Sequence, residues 1–177
     1  GVVNGLVVYI EGKVHLVGNS LNDITLVVAD GGEIILDTDE NNFSNQGRFV
    51  VCPGGKITGK NGAVFNVSNG GWCYNAGTID YNGTLNLNGS RFYNNNIVNV
   101  DVLMGTSQGT HFINFGHITA RTNAMQADAY NQDIVNGCYM KFTENAGVVY
   151  VDQGDNTYKN VTTVTFENTI YSRYELI

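Results

Sequence analysis

The chain has 177 residues, of which 42% are hydrophobic and 14% are charged, and its formal net charge is -7. This length suits one domain with a substantial core, and an acidic chain with 9 Lys and Arg lacks the cationic surface that nucleic acids require. No apolar run reaches the length of about 18 residues that a transmembrane helix needs, so we predict no nucleic-acid partner and no transmembrane segment.

Asparagine and glycine dominate the composition. The chain contains 25 Asn and 22 Gly but a single Pro. These two residues tolerate left-handed backbone conformations best, so their excess predicts many tight corners and few helices. The three cysteines, Cys52, Cys73 and Cys138, contain no CxxC pair, which argues against a disulfide framework or a zinc site. We expect them to be buried as small apolar residues.

The first segments of the chain alternate between apolar and polar residues and are closed by glycine. Residues 7–18, "VVYIEGKVHLVG", indicate two short strands with no obvious cap, so we expect the chain to be part of a longer protein. Similar runs follow at "GEIIL" (32–36), "GKITG" (55–59), "GAVFNVSNG" (62–70) and "GTLNLNG" (83–89). They predict the sides of a coil that turns repeatedly.

An acidic segment, "LDTDENN" (36–42), interrupts these runs. It places Asp37, Asp39 and Glu40 in one loop and resembles the start of a calcium-binding loop, but it lacks the following Gly and the distal Glu. A solvated acidic turn and a calcium site are both compatible with the segment. We predict no metal site and no cofactor for the chain.

A degenerate repeat runs through the middle of the chain. Four segments share the form apolar, X, Asn, X, Gly or Asn, X, apolar: "FSNQGRFVV" (43–51), "CYNAGTIDY" (73–81), "FYNNNIVNV" (92–100) and "FINFGHITA" (112–120). They are centred on Asn45, Asn75, Asn94 and Asn114, and "ENAGVVYVD" (144–152) adds a weaker copy at Asn145. A period of about 20 residues indicates a repeat architecture, in which each unit buries its apolar face against its neighbours.

The repeat predicts an all-β fold, a single-stranded parallel β-helix, or β-solenoid, that is right-handed with coils of about 20 residues. Period-two alternation on both sides of each Asn indicates strands with one buried face. Two ladders of stacked apolar residues are expected in the core: Phe43, Cys73, Phe92 and Phe112 on one side, and Phe49, Ile79, Val98 and Ile118 on another.

The repeated asparagines have a structural interpretation. At a corner, Asn can adopt the left-handed conformation, and its amide can hydrogen-bond to the Asn of the next coil. We therefore expect Asn45, Asn75, Asn94 and Asn114 to form a ladder that satisfies buried backbone groups, and we prefer this structural role to ligand binding.

The pattern weakens after residue 122. We predict one domain over residues 1–177, with regular coils at 1–122 and a C-terminal cap or elaborated coil at 123–177. Within the cap, Asn123 to Asp133 is compatible with a helix, and strand character resumes after it. Such a terminal element would cover the open edge of the last coil.

The chain offers no recognisable catalytic motif, so we predict no catalytic residues. Many parallel β-helices are polysaccharide lyases or glycoside hydrolases, which makes a carbohydrate-active enzyme the alternative. Such an enzyme needs carboxylates near a cation, and the sequence places no Asp pair beside Arg48, Arg91 or Arg121. A groove with two or more carboxylates and an Arg or Lys would favour the enzyme.

One rank of side chains predicts a binding surface. If Cys73, Phe92 and Phe112 point inward, alternation places Trp72, Arg91 and His111 on the outside, with Tyr74, Tyr93 and Ile113 in the next outward rank. Trp and Tyr beside hydrogen-bonding groups suit sugar rings and protein hot spots. We expect Trp72, Tyr74, Arg91, Tyr93 and His111 to bind a ligand, the alternative being that a cap, loop or partner domain covers them.

The segment "NAGTIDYNGTLNLNG" (75–89) resembles the Asn-rich β-helical segments of surface-exposed and secreted proteins from gut Gram-negative anaerobes, including proteins with an LruC domain. The resemblance covers residues 5 to 120. It implies an extracellular or outer-membrane-associated, adhesin-like component and supplies no catalytic residues. The sequence thus predicts a non-catalytic surface module that binds a glycan or a cell-surface protein.

Overall fold

A computed structural model describes residues 5–18, 21, 23–37, 39, 41–43, 47–68, 70–105, 110–125, 133–136, 138–144, 149–152 and 158–161. In chain order the strands are β1 (Leu6–Ile10), β2 (Lys13–Leu16), β3 (Ile24–Val28), β4 (Glu33–Leu36), β5 (Asn41–Phe43), β6 (Arg48–Val51), β7 (Lys56–Gly59), β8 (Val64–Ser68), β9 (Trp72–Asn75), β10 (Thr78–Asn88), β11 (Arg91–Asn94), β12 (Ile97–Gly105), β13 (His111–Asn114), β14 (His117–Met125), β15 (Asp133–Asn136), β16 (Tyr139–Phe142), β17 (Val149–Asp152) and β18 (Tyr158–Val161). The described part of the chain is all-β.

The strands form a β-solenoid, as the repeat predicts. One sheet has the order β1-β3-β6-β9-β11-β13-β15, and the other has the order β2-β4-β7-β10-β12-β14-β16. In the second sheet β8 also pairs with β10, and β5 pairs with β8. Every neighbouring pair in these two sheets is parallel and in register, with partners about 20 residues apart. The chain therefore alternates between the two sheets, and each pass adds one strand to each of them.

The long strands of the second sheet bend in the middle and supply two sides of the coil. In β10 the pairing with β12 shifts register between Tyr81 and Thr84. The first half of β10 pairs with β7, whereas the second half pairs with β8. Gly83 lies at this bend, where an added Cβ would lie 2.1 Å from the Ala63 carbonyl oxygen. A side chain at the bend would thus collide with the neighbouring coil.

Stacked apolar side chains fill the interior. The three sides of the coil contribute three buried columns, whose members are at most 1% exposed: Phe49, Cys73, Phe92 and Phe112; Ile57, Ile79, Val98 and Ile118; and Phe65, Leu85 and Leu103. The rings of Phe92 and Phe112 stack with centroids 5.5 Å apart within one column. Phe49 and Phe65 meet edge to face at 4.9 Å between two columns.

The predicted ladders are correct from residue 73 onward and wrong in the preceding coil. Phe49 pairs in register with Cys73, so it belongs to the first column and not to the ladder of Ile79. Phe43 pairs by its backbone with Val67 on another side of the coil. The physical reason is that the true corner of this coil lies at residues 52–55, after Val51, rather than around Asn45.

Three asparagines form the predicted ladder. Asn75 Nδ2 donates to Asn94 Oδ1 at 2.7 Å, and Asn94 Nδ2 donates to Asn114 Oδ1 at 2.8 Å. All three residues are 0% exposed. Each also accepts a hydrogen bond from the backbone N–H two residues later, on Gly77, Asn96 and Gly116 respectively. The ladder therefore satisfies buried amides at each corner.

Two details of the predicted ladder are corrected. The partner of Asn75 in the preceding coil is Val51, and Asn45 itself lies outside the described residues. Among the described residues, Asp23 is the one non-glycine residue with a positive φ, so Asn75, Asn94 and Asn114 are not left-handed. They act through their side-chain amides and not through an unusual backbone conformation.

Regular coils extend beyond the predicted boundary at residue 122. β15 pairs in parallel with β13, and β16 pairs in parallel with β14. The predicted helix over 123–133 is wrong at both ends, because residues 123–125 belong to β14 and Asp133 begins β15, while residues 126–132 lie outside the described part. "DIVNGCYMKF" (133–142) is the missed copy, with Asn136 at the ladder position.

The predicted copy at Asn145 precedes a pair of strands that departs from the parallel stacking of the solenoid. Asn145 lies outside the described residues, and β17 pairs antiparallel with β18. The three cysteines are free. Cys73 is buried as expected, but Cys52 and Cys138 are only half-buried. Cys73 alone therefore fills the core as predicted.

Candidate functional site

The outward side chains of the first sheet form two columns across neighbouring strands. The register aligns Arg48, Trp72, Arg91 and His111 in one column, and Val50, Tyr74, Tyr93 and Ile113 in the other. We call these eight residues the aromatic face. Parallel strands lie about 4.8 Å apart, so successive members of a column are close neighbours.

The five residues that the sequence singles out for binding all belong to this face. Arg91 is exposed, and Trp72, Tyr74, Tyr93 and His111 are half-buried. The period-two alternation of β9, β11 and β13, in which Cys73, Phe92 and Phe112 are buried, places them outside. Four of the five side chains are therefore only partly open to solvent.

Side-chain contacts hold two of the aromatic rings in place. The Arg48 Cζ atom lies 5.4 Å from the centroid of the Trp72 ring, within cation–π range. The Tyr74 hydroxyl accepts a hydrogen bond of 2.8 Å from Asn95 Nδ2. Sequence reasoning missed Arg48, because it aligned Phe43 with Cys73. Aligning Phe49 with Cys73 would have placed Arg48 beside Trp72.

A second candidate site lies on the other sheet, at the bend of β10, β12 and β14. It is an open recess of about 340 Å³, and polar side chains surround a floor of Tyr81 and Val100: Asp80, Asn82, Asn99, Asp101, Thr119 and Arg121. We call it the polar recess. The sequence analysis predicts no site here, because the residues of the recess come from three different coils.

Arg121 corrects the expectation that no acidic pair lies beside an arginine. Its Nε and Nη2 donate to the two carboxylate oxygens of Asp101 at 2.5 and 3.0 Å, and its Nη1 donates to Glu144 Oε2 at 2.5 Å. The hydrogen bonds from Arg121 hold the pKa of Asp101 below its ordinary value. The spacing of 20 residues between Asp101 and Arg121, one coil, is the signal that could have revealed the pair.

The chemistry of the two sites differs. Asp101 is kept ionised by Arg121, so it is poorly suited to donate a proton as a general acid. Burial raises the pKa of the Cys73 thiol and of the Tyr81 hydroxyl, and the Tyr81 hydroxyl donates to the Thr84 carbonyl at 2.7 Å. Neither group is therefore poised as a nucleophile. The aromatic face offers stacking surfaces and cations.

The two described carboxylates of the acidic loop contact different side chains. Asp37 contacts His15 Nδ1, and Asp39 pairs with Lys60 Nζ at 2.7 Å. The hydrogen bond from Lys60 lowers the pKa of Asp39. Glu40 lies outside the described residues. Within the described residues, no group of three or more His, Cys, Asp or Glu side chains could hold a metal ion.

Comparisons with protein-family models, with curated proteins and with solved structures found no match to this chain. In the part of the chain that the structure describes, there is no helix with the length and apolar character needed to cross a bilayer.

Proposed function

We propose that this protein is a non-catalytic surface module that binds a glycan on its aromatic face. The observation that carries the proposal is the in-register placement of Trp72, Tyr74 and Tyr93 on one outward sheet surface, bordered by Arg91. Aromatic rings offer flat apolar surfaces to the C–H faces of sugars, while hydroxyl and guanidinium groups hydrogen-bond to sugar oxygens.

The geometry of a parallel sheet suits an extended polymer. The outward columns repeat at the strand spacing of about 4.8 Å, so a polysaccharide that runs along the solenoid axis would meet equivalent positions in successive coils. The rings of Trp72 and Tyr74 are held by Arg48 and Asn95, which reduces the entropy lost on binding. A protein partner is the competing occupant and is an outcome of the test below.

We place this module outside the cell, as an adhesin-like component at the outer membrane of a bacterium. The support is the resemblance of residues 75–89 to the Asn-rich β-helical segments of such proteins, including those with an LruC domain.

The binding test compares the protein with a variant that lacks two rings. Trp72→Ala combined with Tyr93→Ala should abolish retention on the polysaccharides that the parent binds in affinity electrophoresis, because the stacking surface is lost. Tyr9→Ala is the control, since Tyr9 is 68% exposed in the same outward column but three strands from Tyr74.

The control should bind as the parent does, and circular dichroism should show all proteins folded. If no glycan in a broad array is retained while a surface protein is captured through Trp72 and Tyr93, the face binds protein instead. If the double variant retains glycans unchanged, the assignment of the face is wrong.

The polar recess supports a second candidate, a carbohydrate-active enzyme. Asp80 and Asp101 line it together with Arg121, the kind of groove that favours such an enzyme. Against this candidate, both oxygens of Asp101 are engaged by Arg121. Release of reducing ends or unsaturated sugars from a polysaccharide panel, abolished by Asp80→Asn, would establish the enzyme; no release would retire it.

A further inference from the structure

We propose that the glycan bound by the aromatic face is anionic, carrying carboxylate or sulfate groups that Arg48 and Arg91 recognise. This inference depends on the proposed glycan-binding function and adds the chemical class of the ligand. It follows from how charge is distributed over the solenoid.

The acidic residues of this chain avoid the first sheet. The protein has a net charge of -7, yet its strands β1, β3, β6, β9, β11 and β13 contain no Asp or Glu. The first acidic residue of that sheet is Asp133 in β15, whose backbone pairs with His111, two strands beyond Arg91. The carboxylates Asp80 and Asp101 lie on the other sheet, in the polar recess.

Two arginines lie within this acid-free area. Arg48, Trp72 and Arg91 occupy one outward column on three consecutive strands, so the two arginines flank the indole. Within the described part of the chain, neither guanidinium forms an ion pair, whereas Arg121 is engaged by Asp101 and Glu144. Arg48 and Arg91 are therefore available to an external anion.

The residue types match the ligand class. A guanidinium presents a planar fork of donors that fits carboxylate and sulfate oxygens in a bidentate manner, which an ammonium cannot do. The backbones of β6 and β11 are two strand spacings apart, roughly 9.6 Å. A polymer with regularly spaced anionic groups could engage both arginines while one sugar ring lies over the aromatic side chains between them.

Charge complementarity also argues for specificity. A protein with a net charge of -7 repels polyanions over most of its surface, so retention of a polyanion requires a local cationic site. Such binding should weaken with added salt, because exposed charges are screened within about 10 Å at 0.1 M ionic strength.

The test measures affinity for polymers that differ only in charge. Polygalacturonate is compared with its fully methyl-esterified form, and dextran sulfate with dextran, so that carboxylate and sulfate are distinguished. We expect the protein to bind at least one acidic polymer and to bind its neutral counterpart at least tenfold more weakly, roughly the contribution of two exposed ion pairs.

Matched variants locate the site. R48Q combined with R91Q should weaken binding of the acidic polymer about tenfold. K56Q removes one positive charge from the other sheet and should leave affinity unchanged, as Lys56 is exposed there. Both variants should retain the circular dichroism spectrum of the parent.

The outcomes separate this inference from the proposed function. If neutral polymers bind as tightly as acidic ones, or if R48Q/R91Q binds the acidic polymer like the parent, the anionic assignment is overturned and glycan binding stands. If no polymer binds at all and a broad glycan array is blank, the proposed function fails with it.

Discussion

The amide of Asn94 uses all of its hydrogen-bonding groups inside the protein. Its Nδ2 donates to Asn114 Oδ1 and to the Asn96 carbonyl, and its Oδ1 accepts from Asn75 Nδ2 and from the Asn96 N–H. Because Asn94 is 0% exposed, its side-chain amide cannot exchange these bonds for bonds to water without local opening. A satisfied buried amide of this kind fixes the register between three coils.

We expect Asn94→Ala to lower the free energy of unfolding by about 2 to 3 kcal/mol, since it breaks the buried ladder in two places and leaves the half-buried Asn96 N–H without its acceptor. Urea unfolding followed by circular dichroism measures the change. Asn95→Ala is the control, because Asn95 is exposed and bonds the Tyr74 hydroxyl at the surface. An equal loss in both variants would contradict the role of the ladder.

The ion pair between Asp101 and Arg121 predicts a dependence of stability on acid. The folded pKa of Asp101 is lowered by Arg121, so the carboxylate contributes stability above its unfolded pKa and loses it as the pH falls through the lower folded value. The pair is partly exposed and its contribution should stay below about 1 kcal/mol. Asp101→Asn should therefore flatten the fall in unfolding temperature below about pH 4.

The comparison is made on thermal unfolding curves of the parent and of Asp101→Asn between neutral pH and about pH 3, around the ordinary pKa of an Asp side chain. The two curves should differ at neutral pH and converge in acid. A constant difference across this range would show that Asp101 is not stabilised as an anion.

Two kinds of corner connect the first sheet to the second. In the coils with Val28 and Val51 at the ladder position, four residues form the corner, and a backbone turn closes it through Gly32 N–H to Ala29 O and Gly55 N–H to Cys52 O, both 2.9 Å. Glycines with positive φ, Gly31 and Gly54, occupy these turns.

The later corners contain only two residues between strands. In the coil of Asn75, the side-chain oxygen accepts from the N–H of Gly77 at 3.2 Å and replaces the backbone carbonyl of the longer turn. From the second coil onward, the buried column therefore holds valine where the corner has four residues and asparagine where it has two. The first corner, between Ile10 and Lys13, also has two residues, and Ile10 occupies the column there without an asparagine.

Close packing at the corner predicts the effect of Gly77→Ala. An added Cβ would lie 2.3 Å from the Gly55 carbonyl oxygen and 2.5 Å from that of Cys52, both in the preceding coil. We expect a loss of about 2 kcal/mol or more in the free energy of unfolding, because backbone must shift to relieve the overlap. Chemical denaturation measures this loss.

Gly12→Ala is the matched control. Gly12 occupies the same corner column, as the pairing of Lys13 with Glu33 shows, and nothing lies within 4 Å of its added Cβ. Its stability should change by less than about 0.5 kcal/mol. A Gly77 variant as stable as the Gly12 variant would contradict the tight stacking of coils.

The sequence was sufficient for the solenoid and for the outward position of Trp72 and Tyr93, because a fixed period and strand alternation depend on few residues. It was insufficient for the coil that contains Phe49, where Pro53 and Gly54 lengthen the corner and break the spacing. An irregular turn changes the register of the strands without changing their apolar pattern. From the sequence alone, either Phe43 or Phe49 could therefore be aligned with Cys73.

The polar recess could not be found before the register was known. Its charged members Asp80, Asp101 and Arg121 come from successive coils, and no local motif links them. Trp72 and its neighbours, by contrast, lie within single strands whose alternation is visible locally. Sites that depend on stacking between coils are therefore hidden until the corners are placed.

As a whole, the molecule separates different types of side chain onto different sides. The interior holds apolar columns and the asparagine ladder, the first sheet presents aromatic and basic groups, and the second presents carboxylates and the polar recess. A solenoid of this kind holds its outward side chains in regular positions on neighbouring strands. The fold therefore fixes the positions of the side chains of the aromatic face in the absence of a ligand.

The most direct test of this account maps the bound ligand onto the protein. Backbone and side-chain NMR signals of the labelled protein are followed during titration with oligosaccharides of the polymer that it retains. We expect the shifts to concentrate on Trp72, Tyr74, Arg91 and Tyr93, with the indole signal moving most. Shifts confined to Asp80, Asn99 and Arg121, or spread evenly over both sheets, would contradict it.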